Sequence, residues 1–312
     1  MRFDTSDRAL LSLVGVFIVV YQAVLALAGN VFLELGGERL LPGNHTTADL
    51  IVAGVMVLGV AAGGVALAWP HWRAACRVAG WADGRAVPLH SGNVDRLRRA
   101  APPDLVDRIV LVDDAGPTAF TVGLWRPRVV VSRGLLRASA PELTAILAHE
   151  AYHVRRHDPA RRLVAGVVCA ALLHLPVAVR LRDRVMAASE FEADRQALQR
   201  SGRRPVAAAL YRLLSADRSP APSLAASMAG PDLLAARVAQ LETGATPVVR
   251  IAALPWLVAL AGVTAAVMAM DLVVGGLDPG HHWTLPAPAH GLVHVLPLWV
   301  LWPLDHVMHR AR

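Results

Sequence analysis

The stretch His149-Glu150-Ala151-Tyr152-His153 constrains this chain more than any other. Two histidines four apart share one face only if the segment is an α-helix, which turns once per ~3.6 residues. On that helix both imidazoles can reach a single metal ion. Glu150, beside the first histidine, is then placed to take a proton from a water molecule at the ion. Whatever completes the ligand set must pack against this helix.

The helix has a legible start. Ser139 can cap it, Glu142 three residues later completes a capping box, and Pro141 suits the first turn. Leu143, Ile146, Leu147 and Ala151 supply an apolar stripe, and Asp158-Pro159 marks its expected end.

Catalytic zinc takes three protein ligands and leaves a fourth position open. In the metzincin arrangement the third ligand is a histidine ten residues after the first, preceded by a glycine. Those positions here are Pro159 and Arg156, which excludes it. His157 lies four residues beyond His153 but a further turn, ~6 Å, along the axis, and is a weaker candidate. The better third ligand is in Ser189-Glu190-Phe191-Glu192-Ala193-Asp194. Glu190 and Asp194 share a helical face, which suits Glu190 as ligand and Asp194 as the acceptor of a ligating histidine's free ring N–H. Glu192 is rotated away from both and is the runner-up ligand.

Ahead of the histidine helix, the runs Ile109–Val112, Thr118–Leu124 and Arg128–Ser132, with a turn at Arg126-Pro127, predict a small sheet. A strand beside such a helix can accept an extended peptide by main-chain pairing. The segment 205–243 is helical in pattern, including a run from Pro231 to Glu242 stopped by Gly244.

Apolar residues make up 55% of the chain, charged residues only 18%, and mean hydropathy is +0.44. The apolar residues come in blocks. Runs at 9–29, 50–69 and 251–270 each approach the ~20 residues that cross a bilayer as a helix, which predicts an integral membrane protein. All 31 basic residues are arginine. They concentrate in 70–160 and 180–250, while the loop 30–49 holds only Arg39 and 271–290 holds none. Arginine excess marks the cytoplasmic side, so the expectation is a multi-pass protein of the bacterial inner membrane with its site on the cytoplasmic side. The same distribution accounts for the net charge of +7 without a nucleic-acid partner. Lysine is absent, which excludes a Walker phosphate loop, a Schiff-base lysine and a Ser-x-x-Lys acylation site. Cys76 and Cys169 are expected to be ordinary thiols.

The fourth apolar run, 163–179, is interrupted by His174 and Pro176 and flanked by Arg161, Arg162, Arg180 and Arg182. It lies between two prospective ligands of one ion. A single crossing would set its ends ~30 Å apart. It is therefore expected to be an interfacial or re-entrant element bent near Pro176, or a buried helix.

Three stretches, Val129–Leu136, Leu147–Pro159 and Glu190–Asp194, together resemble the membrane-anchored gluzincin peptidases, with the closest resemblance to the BlaR/MecR-type antibiotic-sensor family. The heat-shock and CAAX-processing membrane peptidases look like more distant relatives. The resemblance is strongest over 105–200. It implies one Zn2+ bound by His149, His153 and Glu190, Glu150 as catalytic base, and Asp194 supporting a ligand. It also implies an endopeptidase acting on a protein substrate at the cytoplasmic membrane face, in contact with lipid, and admits a transcriptional repressor as that substrate. The expected fold is mainly α: a zincin-like α+β catalytic domain with a small sheet, flanked by transmembrane helices. A transmembrane hairpin would occupy 1–72, the metallopeptidase domain 73–248, and a C-terminal helix with a further span at 283–304 would fill 249–312. The sensor members also carry a penicillin-binding domain acylated at Ser-x-x-Lys, which this lysine-free chain cannot supply.

Two other readings compete. One is a non-catalytic zinc-containing membrane regulator, against which Glu150 argues. The other is a site-2-type intramembrane protease, which needs a Leu-Asp-Gly ligand; Leu277-Asp278 and Leu304-Asp305 are followed by proline and histidine.

Overall fold

The computed structural model describes residues 5–36, 45–88, 91–172, 176–214 and 231–244. The described chain is mainly helical, with one three-stranded sheet. Helices α1 (Thr5–Gly36), α2 (His45–Gly84) and α3 (Ser91–Ala100) precede a short 3-10 turn and the strands β1 (Ile109–Val112), β2 (Ala119–Val122) and β3 (Arg128–Ser132). Five helices follow: α4 (Ala140–Arg155), α5 (Asp158–Ala171), α6 (Pro176–Ser201), α7 (Arg203–Leu214) and α8 (Pro231–Thr243). The chain divides into two compact units. One comprises 1–13 and 61–251 and holds the sheet and α3 to α8; the other comprises 14–60 and 252–312, and its described residues are helical.

The sheet order is β1-β3-β2, with β1 parallel and β2 antiparallel to β3. Side chains alternate across a strand, and the two faces are used differently. Val129 and Val131 of β3 join Ile109 and Leu111 in a core with Leu143, Ile146, Leu147 and Ala151 of α4. Val130 faces the other way and packs with Phe120, Val122 and the α2 residues Val78 and Ala82. Both faces are thus covered, and β2 forms an edge that runs beside α4.

α4 begins with a complete capping box. The Ser139 hydroxyl accepts from the Glu142 amide, and the Glu142 carboxylate accepts from the Ser139 amide at 3.1 Å. The helix ends at Arg155, earlier than the Asp158-Pro159 stop expected from sequence. His157 then adopts a left-handed conformation (φ 53°), and Asp158 opens α5. The apolar run 163–179 is divided: α5 ends at Ala171, and Pro176 begins α6.

The expectation of an integral membrane protein flanked by transmembrane helices is corrected. Among the described residues no helix is long and apolar enough to cross a membrane, so a multi-pass inner-membrane location with a cytoplasmic-side site is not supported. The run 9–29 is part of a longer helix that also contains Asp7, Arg8, Asn30 and Glu34, and 50–69 is part of one containing Asp49, Pro70, Arg73 and Arg77. Ala9 and Leu13 of α1, and Val78 and Ala82 of α2, are buried by protein. Apolar composition alone does not separate a spanning helix from one whose apolar face is covered by its own chain. The runs 251–270 and 283–304 lie outside the described residues.

Candidate metal centre

α4 and α6 pack against each other, and their facing turns carry the prospective ligands. His149, His153 and Glu190 each offer one ligand atom, and these atoms lie within 4.8 Å of one another. The individual separations are 3.1 Å between the two Nε2 atoms, 3.4 Å from His149 Nε2 to Glu190 Oε2, and 3.7 Å from His153 Nε2 to Glu190 Oε1. Four-coordinate zinc with bonds near 2.1 Å has ligand-to-ligand edges of about 3.4 Å. The donor set therefore fits one tetrahedral ion in both chemistry and spacing.

Each histidine is held from behind by a carboxylate. His149 Nδ1 lies 2.9 Å from Asp194 Oδ1, and His153 Nδ1 lies 2.5 Å from Asp158 Oδ2. A carboxylate at Nδ1 accepts that N–H, fixing the tautomer that presents the Nε2 lone pair to the ion. Asp158 is itself held by the Ser189 hydroxyl, which donates to it from α6.

The centre is electronegative and buried. Burial disfavours the His149 imidazolium, but hydrogen bonds to Asp194 and Glu190 and the charges of both outweigh it and raise its pKa to about 10. Burial also disfavours the ionised carboxylates. Even so, His149 and Arg237 hold Glu190 well below the usual range and lower Asp194, while His153 and Ser189 lower Asp158. A pocket that keeps its carboxylates ionised and binds a proton this tightly favours positive charge, as a divalent cation would supply.

Glu150 is buried, and one of its oxygens accepts a 2.7 Å hydrogen bond from the Thr121 hydroxyl on β2. The acid beside the prospective ligands is thereby tied to the edge strand. The weaker candidates are elsewhere: Glu192 is engaged by Arg195, and His157 is exposed at the left-handed turn.

Six contributors escape a reading of the sequence. Thr121 and Ser189 are ordinary letters in a strand and a helix. Asp158 reads as a helix stop, because only the positive φ at His157 turns it back toward His153. Arg162 of α5 donates to Glu190 Oε1 at 2.8 Å. Arg237 of α8 makes a two-pronged contact with Asp194 at 2.7 and 2.8 Å and lies 3.3 Å from Glu190 Oε2. Its pKa is raised: burial alone would lower it, but the charges of Glu190 and Asp194 prevail. Gln240, one turn on, is buried and donates to the Phe191 carbonyl, which seats α8 on α6.

All of these residues fall inside one matching segment. Residues 109–241, from β1 into α8, match the family model described as BlaR1 peptidase M56, which supports a metal-dependent peptidase of the BlaR/MecR type.

Proposed function

We propose that the protein is a zinc-dependent endopeptidase that hydrolyses peptide bonds of a protein substrate. The observation that carries this reading is the spacing of His149 Nε2, His153 Nε2 and Glu190 around one point, with Glu150 next in sequence to the first ligand. His149, His153 and Glu190 hold one zinc ion, and Asp194 and Asp158 orient the two imidazoles. When bound, zinc supplies a Lewis acid that polarises the scissile carbonyl and acidifies water.

Glu150 accepts the proton of the attacking water and returns it to the leaving amine nitrogen. Thr121, by donating to one Glu150 oxygen, leaves the other to face the water. β2 is the sheet edge nearest this acid, so a substrate strand pairing along it delivers its carbonyls to the site.

The test is Glu150→Gln, which keeps the side chain's shape and removes its basicity. The variant should retain one zinc per chain by elemental analysis and cleave an unstructured protein such as casein ~10²–10⁴-fold more slowly than wild type. Undiminished cleavage would remove Glu150 from its role. Loss of zinc would make it a structural residue, and a wild type that binds zinc but never cleaves would favour the non-catalytic regulator.

A further inference from the structure

The start of α1 is joined to the metal centre by a continuous path of charged groups. Asp7 takes two arginines, one from each side of the left-handed turn at His157. Arg156 donates to it from the end of α4, and Arg161 of α5 lies 3.1 Å away. Arg161 also donates to the Ser6 hydroxyl at 2.6 Å, and its other terminal nitrogen is 3.5 Å from Asp158 Oδ1. The second Asp158 oxygen holds His153 Nδ1. The inner part of the path is shielded from water: the side chains of Arg161, Asp158 and His153 are 12%, 4% and 6% exposed, and Ser6 is buried, while Asp7 and Arg156 at its outer end are 18% and 28% exposed. Charge interactions along such a path are screened far less than at a surface.

The turn that Asp7 reaches has an uncommon backbone. Its apex is a non-glycine residue at φ 53°, in the left-handed region where histidine is among the few residue types enriched. The backbone hydrogen bonds there run from 2.9 Å (Arg156 N to Tyr152 O) through 3.0 Å (Ala160 N to His157 O) to 3.2 Å (His157 N to Val154 O and Arg161 N to His157 O). This turn brings Asp158 back against His153 and launches α5, which carries Arg162 to Glu190. We propose that Asp7 is a positioning residue of the metal centre: by gripping Arg156 and Arg161 it holds Asp158 on His153, so that the seating of the α1 start sets the affinity for the ion. A force or partner that draws the first turns of α1 away lowers metal affinity through three hand-offs, Asp7 to Arg161 to Asp158 to His153. This rests on the zinc reading above.

The experiment measures zinc affinity of the full chain by competition with a chromogenic chelator, alongside thermal unfolding. Asp7→Asn and Arg161→Gln are two breaks in one path, so a variant that fails to fold leaves the other to decide. Each should weaken zinc about tenfold, the low end of what changes at groups behind a ligand cost. The double variant should be no weaker than the weaker single, because both act on the same step. Leu13→Ala removes a fully buried contact of the same helix without touching the charges. It should lower the melting temperature and leave zinc affinity within twofold. Asp7→Asn should also speed amide hydrogen exchange over residues 155–161 in metal-free protein. Folded single variants with wild-type affinity, an additive double, or a Leu13→Ala loss as large as that of Asp7→Asn would each overturn the proposal. A wild type that binds no zinc would instead overturn the zinc reading, while the exchange result would still report whether Asp7 holds the turn.

Discussion

Under the proposed zinc reading, an ion entering this centre must displace the proton that His149 holds, and the structure sets the size of that competition. The imidazole is 15% exposed and lies between Asp194 at 2.9 Å and Glu190 at 3.4 Å, which raise its pKa to about 10 against burial. At pH 7 the proton is therefore bound some three pH units more tightly than neutrality requires, roughly 4 kcal/mol at 1.36 kcal/mol per unit, or ~1000-fold in apparent zinc affinity. The expected outcome is that zinc affinity rises about tenfold per pH unit from pH 7 toward pH 9, with about one proton released per ion from this residue. Calorimetric titration of metal-free protein at pH 7 in two buffers of different ionisation enthalpy gives the proton count directly. Asp194→Asn keeps the shape of the carboxylate and removes its charge, so it should flatten the slope and reduce the release. A proton count near zero with a pH-independent affinity would refute the reasoning, because His149 would then be neutral in the pocket. The same group fixes a sign for stability. Its folded pKa lies above the unfolded value of 6.5, so the stability it contributes to the metal-free protein is complete below pH 6.5 and is lost as pH rises toward 10. Metal-free protein should therefore melt at a lower temperature at pH 9 than at pH 6.5.

Arg237→Met should destabilise the metal-free protein by about 3–5 kcal/mol, since it strips the guanidinium from a carboxylate that is 2% exposed. Urea unfolding reads this, and a loss under about 1 kcal/mol would mean that Asp194 finds another partner. Asp158→Asn should weaken zinc by ~10–100-fold in chelator competition while leaving the other ligands in place, because His153 loses the charged acceptor at its Nδ1. Acid should cost stability through the carboxylates, as base does through His149. Asp158, Asp194 and Glu190 all have lowered pKa values in the folded state, so the stability they contribute is present above their unfolded values near 4. It disappears as pH falls through the depressed folded values, and the Asp158→Asn variant should show a shallower acid limb in thermal melts.

Local rules carried the sequence reading furthest. The strands at Ile109–Val112 and Arg128–Ser132 have the bounds that their β-branched runs predict, because both are buried in a sheet covered on each face. The Ser139–Glu142 capping box is likewise local, and it starts α4 where expected. The pairing of the histidine motif with Glu190 and Asp194 was legible because helical spacing puts each pair on one face, leaving only the packing of α4 on α6 to join them. Asp158 was legible as a residue and illegible as a contact. Its approach to His153 depends on one backbone angle at His157 that no propensity foretells.

The arginines show why apolar runs and charge counts misled where spacing did not. Read along the sequence, Arg161 and Arg162 are flanking charges that mark the side of a membrane, and Arg237 is one more basic residue on an amphipathic helix. In the fold, Arg162 and Arg237 approach opposite oxygens of Glu190, and Arg161 stands between Asp7 and Asp158. Three carboxylates, Asp158, Glu190 and Asp194, crowd within reach of two imidazoles, and each is individually costly to bury. Cations from two other stretches of chain, α5 and α8, make that crowding tolerable, and a side-count of arginine cannot register this use of charge because it is blind to what each guanidinium faces. The consequence is specific. Neutralising an exposed arginine such as Arg98 should leave zinc affinity unchanged, whereas neutralising Arg162 removes a cation 2.8 Å from a ligand oxygen and should tighten zinc binding at the expense of metal-free stability. If both changes act alike, the arginines contribute only through net charge and the local account fails.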